Sequence, residues 1–302
     1  MDKILLPRKT ADLRKVAAMI NNATYSDYMD RLKLVAISLF TWKNLDKLCG
    51  FGASRFIENA LYEDGKACVL NDPELGFLGL RVTVNGKLNT YNLPTAVEAY
   101  SITYHKKWPL EDVVYIMNNE LQLPTFRSTQ LASYRLYEIQ RTIDTNVKAQ
   151  KTPVVLETDT KSRLTLENLF NQYDGNIPFI FGRKGMDLDK KINAIKTDAP
   201  YVADKLTMLK HEVWNEFITF LGINNANTDK KERLISDEAK SNDELIAYYF
   251  YCFYKTRKKA ADEINEKFKL KGENAISIEI NKEAMQALIA ANNVTIGGNE
   301  NE

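Results

Sequence analysis

Residues 196–222 read KTDAPYVADKLTMLKHEVWNEFITFLG. Asp198 followed by Pro200 is a helix-start signal, an acidic N-cap ahead of a proline in the first turn. Val202, Leu206, Leu209, Val213, Phe217 and Phe220 then recur at steps of four, three, four, four and three. Trp214 widens that face, and Gly222 supplies the stop. The stretch predicts one long amphipathic helix ending at Leu221.

Upstream, Pro124 opens a second helical pattern that runs to about Lys148. Ala132, Leu136, Ile139, Ile143 and Val147 fall on one stripe, while Tyr134, Tyr137, Arg141, Asp144 and Lys148 form a largely polar one. At ~1.5 Å per residue such a helix is about 35 Å long. Between the two helices, residues 153–195 read as a compact mixed unit: a strand over Pro153–Leu156, a short helix over 164–173, and a second strand over 178–181. Two long helices therefore bracket a small αβ unit.

Beyond Gly222 lies a polar stretch to about Glu244, and polar loops of about 20 residues inside a compact chain usually carry function. The aromatic run Leu245–Tyr254 opens a further helix to about Leu270, whose second half is basic (Lys255, Arg257, Lys258, Lys259, Lys267, Lys269). Ala275–Ile280 alternates as a strand, and the tail from Asn292 is expected to be disordered. At the other end, residues 10–48 read as helices: Leu13, Val16 and Ile20 form one stripe, and Met29, Leu32, Leu34, Ile37 and Phe40 a second that ends near Trp42. Residues 52–120 carry short β-type runs at 67–70, 77–84, 88–91, 102–104 and 113–117, with Asn85-Gly86 as a hairpin signal. A small antiparallel barrel or sandwich is expected there.

Composition narrows the class. The 302 residues are 44% hydrophobic and 27% charged, ordinary for a folded soluble chain of about two domains. Forty-one basic residues against forty acidic leave a net charge of +1, which argues against tight non-specific gripping of nucleic acid by one subunit. Three widely spaced cysteines, Cys49, Cys68 and Cys252, fit a reducing compartment better than a disulfide framework. The N-terminus has too short an apolar run for a secretory signal, and Leu245–Tyr254 is too short to span a membrane.

Little in the sequence looks catalytic. His105 and His211 are far apart and outside any zinc-protease pattern, and no phosphate-binding glycine loop is present. Gly50-Phe51-Gly52 matches a dinucleotide fingerprint only in its first two glycines and is read as a loop after a helix. Asp187 with Asp189, and Glu157 with Asp159, are acid pairs that could hold a divalent ion. Lys190 and Lys161 stand beside them in turn-like stretches where solvated acids are common. No catalytic residue, metal site or cofactor is expected, and an assembly component fits better than an enzyme. The aromatic run could stack bases, but aromatics on every helix face point to burial in a core or subunit interface.

Several ordered motifs then carry a resemblance. They are Lys151-Thr152-Pro153-Val154; Asn171-Gln172-Tyr173-Asp174-Gly175-Asn176 with Pro178; Lys196 through Val202 with Asp204-Lys205-Leu206; and Val213-Trp214-Asn215-Glu216. Thr219 through Ile223, Asn225-Ala226-Asn227, Lys230-Lys231-Glu232-Arg233 and Ser241-Asn242-Asp243-Glu244 follow in the same order. Together they resemble the portal proteins of small podophages with protein-primed genomes, also called upper collars or head-to-tail connectors. The strong similarity covers about a third of the chain.

The resemblance implies a mainly helical α+β portal fold. Residues 1–122 would be a wing with an SH3-like β module, 123–152 the first stem helix, 153–195 the αβ clip, 196–222 the second stem helix and 223–243 the channel loop. Residues 244–302 would return to the wing as helix, strand and tail. It implies a homo-dodecameric ring at one capsid vertex, assembled in the host cytoplasm. Double-stranded DNA would pass through it weakly held, and its partners would be the major capsid protein, a lower collar or tail protein, a packaging ATPase and scaffold protein, with no membrane.

By the same resemblance Lys196, Lys205, Lys230, Lys231 and Arg233 face DNA, each lysine being otherwise a solvated or ion-paired surface residue. A polar loop such as 224–243 suits a wet lumen, and ring symmetry repeats each lysine around it. The sequence departs from the family's pattern in its N-terminus, where Arg8-Lys9 and Arg14-Lys15 replace a dense basic arm, and at 245–254 and after Ile280. Two other readings remain open at this point: a lower collar or tail adaptor, and a nucleic-acid enzyme using Asp187 and Asp189.

Overall fold

The structure is a computed structural model and describes residues 10–91, 93–150, 154–156, 192–194, 200–224, 236–281 and 283. The expected helix at 164–173, strand at 178–181 and C-terminal tail lie outside the described residues, as does the chain from 225 to 235. The chain divides into two compact units, Met1–Tyr137 with His211–Glu302, and Glu138–Lys210.

The larger unit begins with α1 (Thr10–Ile37), which buries Leu32 and turns Tyr28, Val35 and Ala36 to the core. Leu34 is exposed, so the apolar stripe is narrower than its composition suggested. The helix expected to continue through Phe40 instead stops, and β1 (Phe40–Lys43) buries Phe40 and Trp42 in strand alternation. Its partner comes from the far end of the chain: β9 (Ser277–Ile280) pairs antiparallel, with Phe40 opposite Ile280 and Trp42 opposite Ile278. After the short α2 (Leu45–Cys49), residues 53–64 form α3 (Ala53–Asp64), a helix where β structure was expected. Ile57, Glu58, Ala60 and Leu61 explain it: they are spaced along one buried face.

Five antiparallel strands follow: β2 (Lys66–Asp72), β3 (Gly76–Leu88), β4 (Pro94–Tyr100), β5 (His105–Pro109) and β6 (Val113–Met117), in the order β5-β4-β3-β2-β6. The two outer strands are joined by one 3₁₀ turn, Leu110–Asp112. Five residues of chain reach about 14 Å, whereas the outer strands of a flat five-stranded sheet lie about 19 Å apart. The sheet is therefore strongly coiled. Its inner face gathers Cys68, Leu70, Leu80, Val82, Val97, Ala99 and Val113. Its outer face gives Ala67, Val69, Val114 and Ile116 to the helical core, which is why β2 is apolar on both sides.

Two details differ from the sequence reading. Asn85-Gly86 is not the hairpin turn: β3 runs through it with a register shift before Leu88, and Asn89 makes the turn by accepting the N–H groups of Tyr91 and Leu93. The strand expected at 102–104 starts at His105, because Ser101–Tyr104 closes a tight turn instead.

Helix α4 (Phe126–Gln150) buries Ala132 and Leu136, as its stripe predicts, while Val147 is exposed. Helix α5 (Ala203–Phe220) ends in a full Schellman pattern, with Gly222 N–H on Thr219 O and Ile223 N–H on Ile218 O. Gly222 sits at φ 77°, and Phe250 packs so close that a Cβ there would lie 2.5 Å from its Cα. Helix α6 (Ser236–Lys267) begins eight residues before Glu244, so the expected channel loop of 223–243 is partly helix.

The basic half of α6 is not uniformly solvated. Arg257 is buried, paired with Glu58 of α3, and lies 4.7 Å over the Phe40 ring. Trp42 Nε1–H donates to Glu58 Oε1 at 2.7 Å, and Arg257 Nη2 to Asn118 Oδ1 at 3.0 Å. One polar network thus joins β1, α3, α6 and the segment after β6 inside the main core. Cys68, also buried, has its thiol pushed up to about 12 by desolvation.

Candidate functional site

The smaller unit holds the one expected channel residue that is described, Lys205. Its described parts are Glu138–Gln150 of α4, Ala203–Lys210 of α5, and a two-stranded antiparallel pair, β7 (Val154–Leu156) with β8 (Ile192–Ala194).

The start of α5 is set by another helix. The first bond of α5 is Leu206 N–H to Val202 O, which makes Val202 the N-cap residue, and Pro200 to Val202 are not helical. The expected cap at Asp198 is thereby corrected. A valine has no side-chain acceptor, and Asn146 of α4 serves this end of the helix instead. Its Oδ1 accepts the Val202 N–H at 3.0 Å, and its Nδ2 donates to Pro200 O at 2.9 Å. Asp204 adds a negative charge in the first turn, where the helix dipole favours it.

Eight residues beyond Val202 the helices are tied again: Lys210 Nζ donates to Gln140 Oε1 at 3.1 Å, Gln140 Nε2 to Asp144 Oδ1 at 3.0 Å, and Arg141 pairs with Asp144 at 3.1 Å. Residue numbers falling on α4 as they rise on α5 make the pair antiparallel. The polar stripe of Arg141 and Asp144 is therefore partly used between helices, where Lys210 and not Lys205 makes the cross-helix contact.

Lys205 is exposed, and so are Met208 and Leu209 three and four residues on. The face is half apolar, unlike a helix surface meant only for water. Lys196, Lys230, Lys231 and Arg233 lie outside the described residues, as do Glu157, Asp159, Asp187 and Asp189. His105 is exposed, its Nε2 3.3 Å from Glu98, and His211 is exposed on α5. Among the described residues, no three His, Cys, Asp or Glu side chains cluster as metal ligands. None of the described helices is long and apolar enough to cross a membrane.

An antiparallel helix pair tied through Asn146 and Lys210 in one unit, and a coiled five-stranded sheet with helices in the other, define a mixed α+β class. Comparison with known proteins makes this specific: the model of the Phage Connector (GP10) family matches residues 9–285, and the chain belongs to that family. Among solved structures it is similar to a chain from "Portal and tail of native bacteriophage P68", at 14% identity and a TM-score of 0.49, covering 98% of this chain and 100% of that one. A second is an HK97-family phage portal protein from Corynebacterium diphtheriae, at 9% identity and 0.45, covering 87% and 94%. The assignment rests on the family match.

Sequence reasoning missed Asn146, Glu58 and Arg257. A charged residue inside an apolar pattern was the available signal for Glu58 and Arg257; Asn146 carried none.

Proposed function

We propose that this chain is the portal subunit of a small podophage. Copies close into a dodecameric ring at one capsid vertex, where the genome enters and leaves and the tail attaches. The observation that carries the reading is the connector-family match over residues 9–285. The role is structural: partners supply the chemistry, with a packaging ATPase driving DNA, major capsid protein and scaffold around the ring, and a lower collar or tail protein below it. The working location is the head-tail junction of the virion, after assembly in the host cytoplasm.

Within that reading α4 and α5 are the stem, 153–195 is the clip, and the coiled sheet β2–β6 is the SH3-like module of the wing, a topology its 3₁₀ link between outer strands favours. Lys205, with Lys196, Lys230, Lys231 and Arg233, faces DNA in the lumen. Ring symmetry multiplies each charge, while the near-neutral chain keeps contact weak enough for DNA to slide. Met208 and Leu209 beside Lys205 suit a helix partly covered by neighbouring subunits.

Light scattering on the purified chain tests the assembly. The expected mass is that of a dodecamer of 34.6 kDa subunits. A stable closed ring of another order would favour a tail adaptor instead.

A further inference from the structure

Glu283 is the last of the described residues, and the structure fixes where the chain leaves it. Two residues earlier, Asn281 N–H donates to Leu39 O, which ties the end of β9 to the entry of β1. Glu283 is already helical. It also lines a groove of about 830 Å³, together with Phe250 and Tyr254 of α6, Ile278 and Ile280 of β9, and Thr41 of β1. The Phe250 and Tyr254 rings stack at 5.6 Å and 18°, and both side chains are left half-buried.

The sequence after Glu283 has the composition of a segment that needs cover. Ala284 to Asn299 hold no charged residue, unlike the charge-rich, apolar-poor stretches that stay disordered. Within Ala284–Ala291 the single polar residue is Gln286. Met285, Leu288 and Ile289 stand at i, i+3 and i+4, the spacing of one apolar helix stripe, and Asn292-Asn293 supplies a stop. From Glu283 to Ala291 such a helix advances about 12 Å. A helix this short does not hold in water by itself and forms where its apolar face is covered.

The groove offers that cover at the residue where the helix begins. Chain continuity presents the segment to it at an effective concentration of about millimolar or more. We propose that residues 284–291 form a short helix that seats Met285, Leu288 and Ile289 against Phe250, Tyr254 and Ile280 of the same subunit. The segment lies almost wholly beyond the family match, which ends at residue 285. Phe250 is also the residue against which Gly222 packs, so the docked helix braces α6 level with the end of α5. The proposal does not depend on ring closure.

Disulfide trapping in the full chain tests it. Cys49 and Cys252 are replaced by serine, and Thr41→Cys, at an exposed position of the groove, is combined in turn with Met285→Cys, Leu288→Cys and Ile289→Cys. After mild oxidation at dilute concentration, at least one pairing is expected to give a disulfide within one chain, read as a shifted monomer band on a denaturing non-reducing gel. Thr103→Cys, exposed in the turn before β5, is expected to give none in place of Thr41→Cys. Leu288→Asp with Ile289→Asp is expected to lower the thermal melt by at least about 3 °C, while removal of Asn299–Glu302 leaves it unchanged. Disulfides that form equally well with Thr103→Cys, or not at all, overturn the proposal, as does a melt that both aspartates leave unchanged. Disulfides that form only between chains also overturn it, and assign the segment to a second copy.

Discussion

Arg257 of α6 and Glu58 of α3, 199 residues apart, form a two-pronged ion pair inside the core, Nε to Oε1 at 2.9 Å and Nη2 to Oε2 at 2.8 Å. The remaining Arg257 donors reach the Asn118 and Phe253 carbonyls, and Trp42 supplies a further hydrogen bond to Glu58. A buried pair this well satisfied is costly to halve. Glu58→Ala or Arg257→Ala should each lower unfolding free energy by about 3–5 kcal/mol in urea melts. A loss below about 1 kcal/mol would show that the network is not holding α3 to α6.

Gly222 meets two demands at once, a positive φ and the closeness of Phe250. Gly222→Ala adds left-handed strain of about 1–2 kcal/mol and overpacking of about 1–3 kcal/mol. The variant should melt well below wild type by circular dichroism. Gly86→Ala, which meets only Thr95 and Ala96 side-chain atoms at 3.8 and 3.9 Å, shares the backbone strain but not the clash and should lose less. Equal losses would contradict the packing argument.

Asp72 caps the β2–β3 turn. The Glu74 backbone N–H, then the Tyr104 hydroxyl, Lys106 ammonium and Leu75 N–H, hold its carboxyl down to about 2 from the ordinary 3.8. A lowered folded-state value means the contribution is complete above 3.8 and is lost as pH falls toward 2. Acid titration of stability should therefore be steeper in that window for wild type than for Asp72→Asn. Parallel curves would contradict the assignment.

How much of this was legible in the sequence depended on where each element finds its partners. α4 and the Gly222 end of α5 carry their own periodicity and stop signal, and β2, β3, β6 and β9 their own β-type runs. Phe40–Lys43 looked like the end of a helix because the strand it pairs with, Ser277–Ile280, lies at the other end of the chain. Asn85-Gly86 is a strong local turn signal, overridden because β4 pairs past it and Asn89 offers a better turn. The start of α5 was misplaced because its cap belongs to Asn146 on another helix. Lys205 was singled out only by resemblance, and what the structure adds is that it is exposed on α5.

Lys205 is exposed on α5, so Lys205→Ala should leave subunit stability and assembly unchanged. If it faces the lumen, particles built with the variant should package or retain DNA less well, and more so with Lys230→Ala and Lys231→Ala together. Packaging and retention identical to wild type in the triple variant would remove these lysines from the DNA path.

The proposed function requires that copies of this chain form a ring with a channel lined by α5. Cryo-electron microscopy of the purified assembly tests it most directly. The expected result is a closed dodecamer with an open axial channel and with Lys205 on its inner wall. A closed ring with Lys205 on its outer surface, or an assembly without an axial hole, would contradict it.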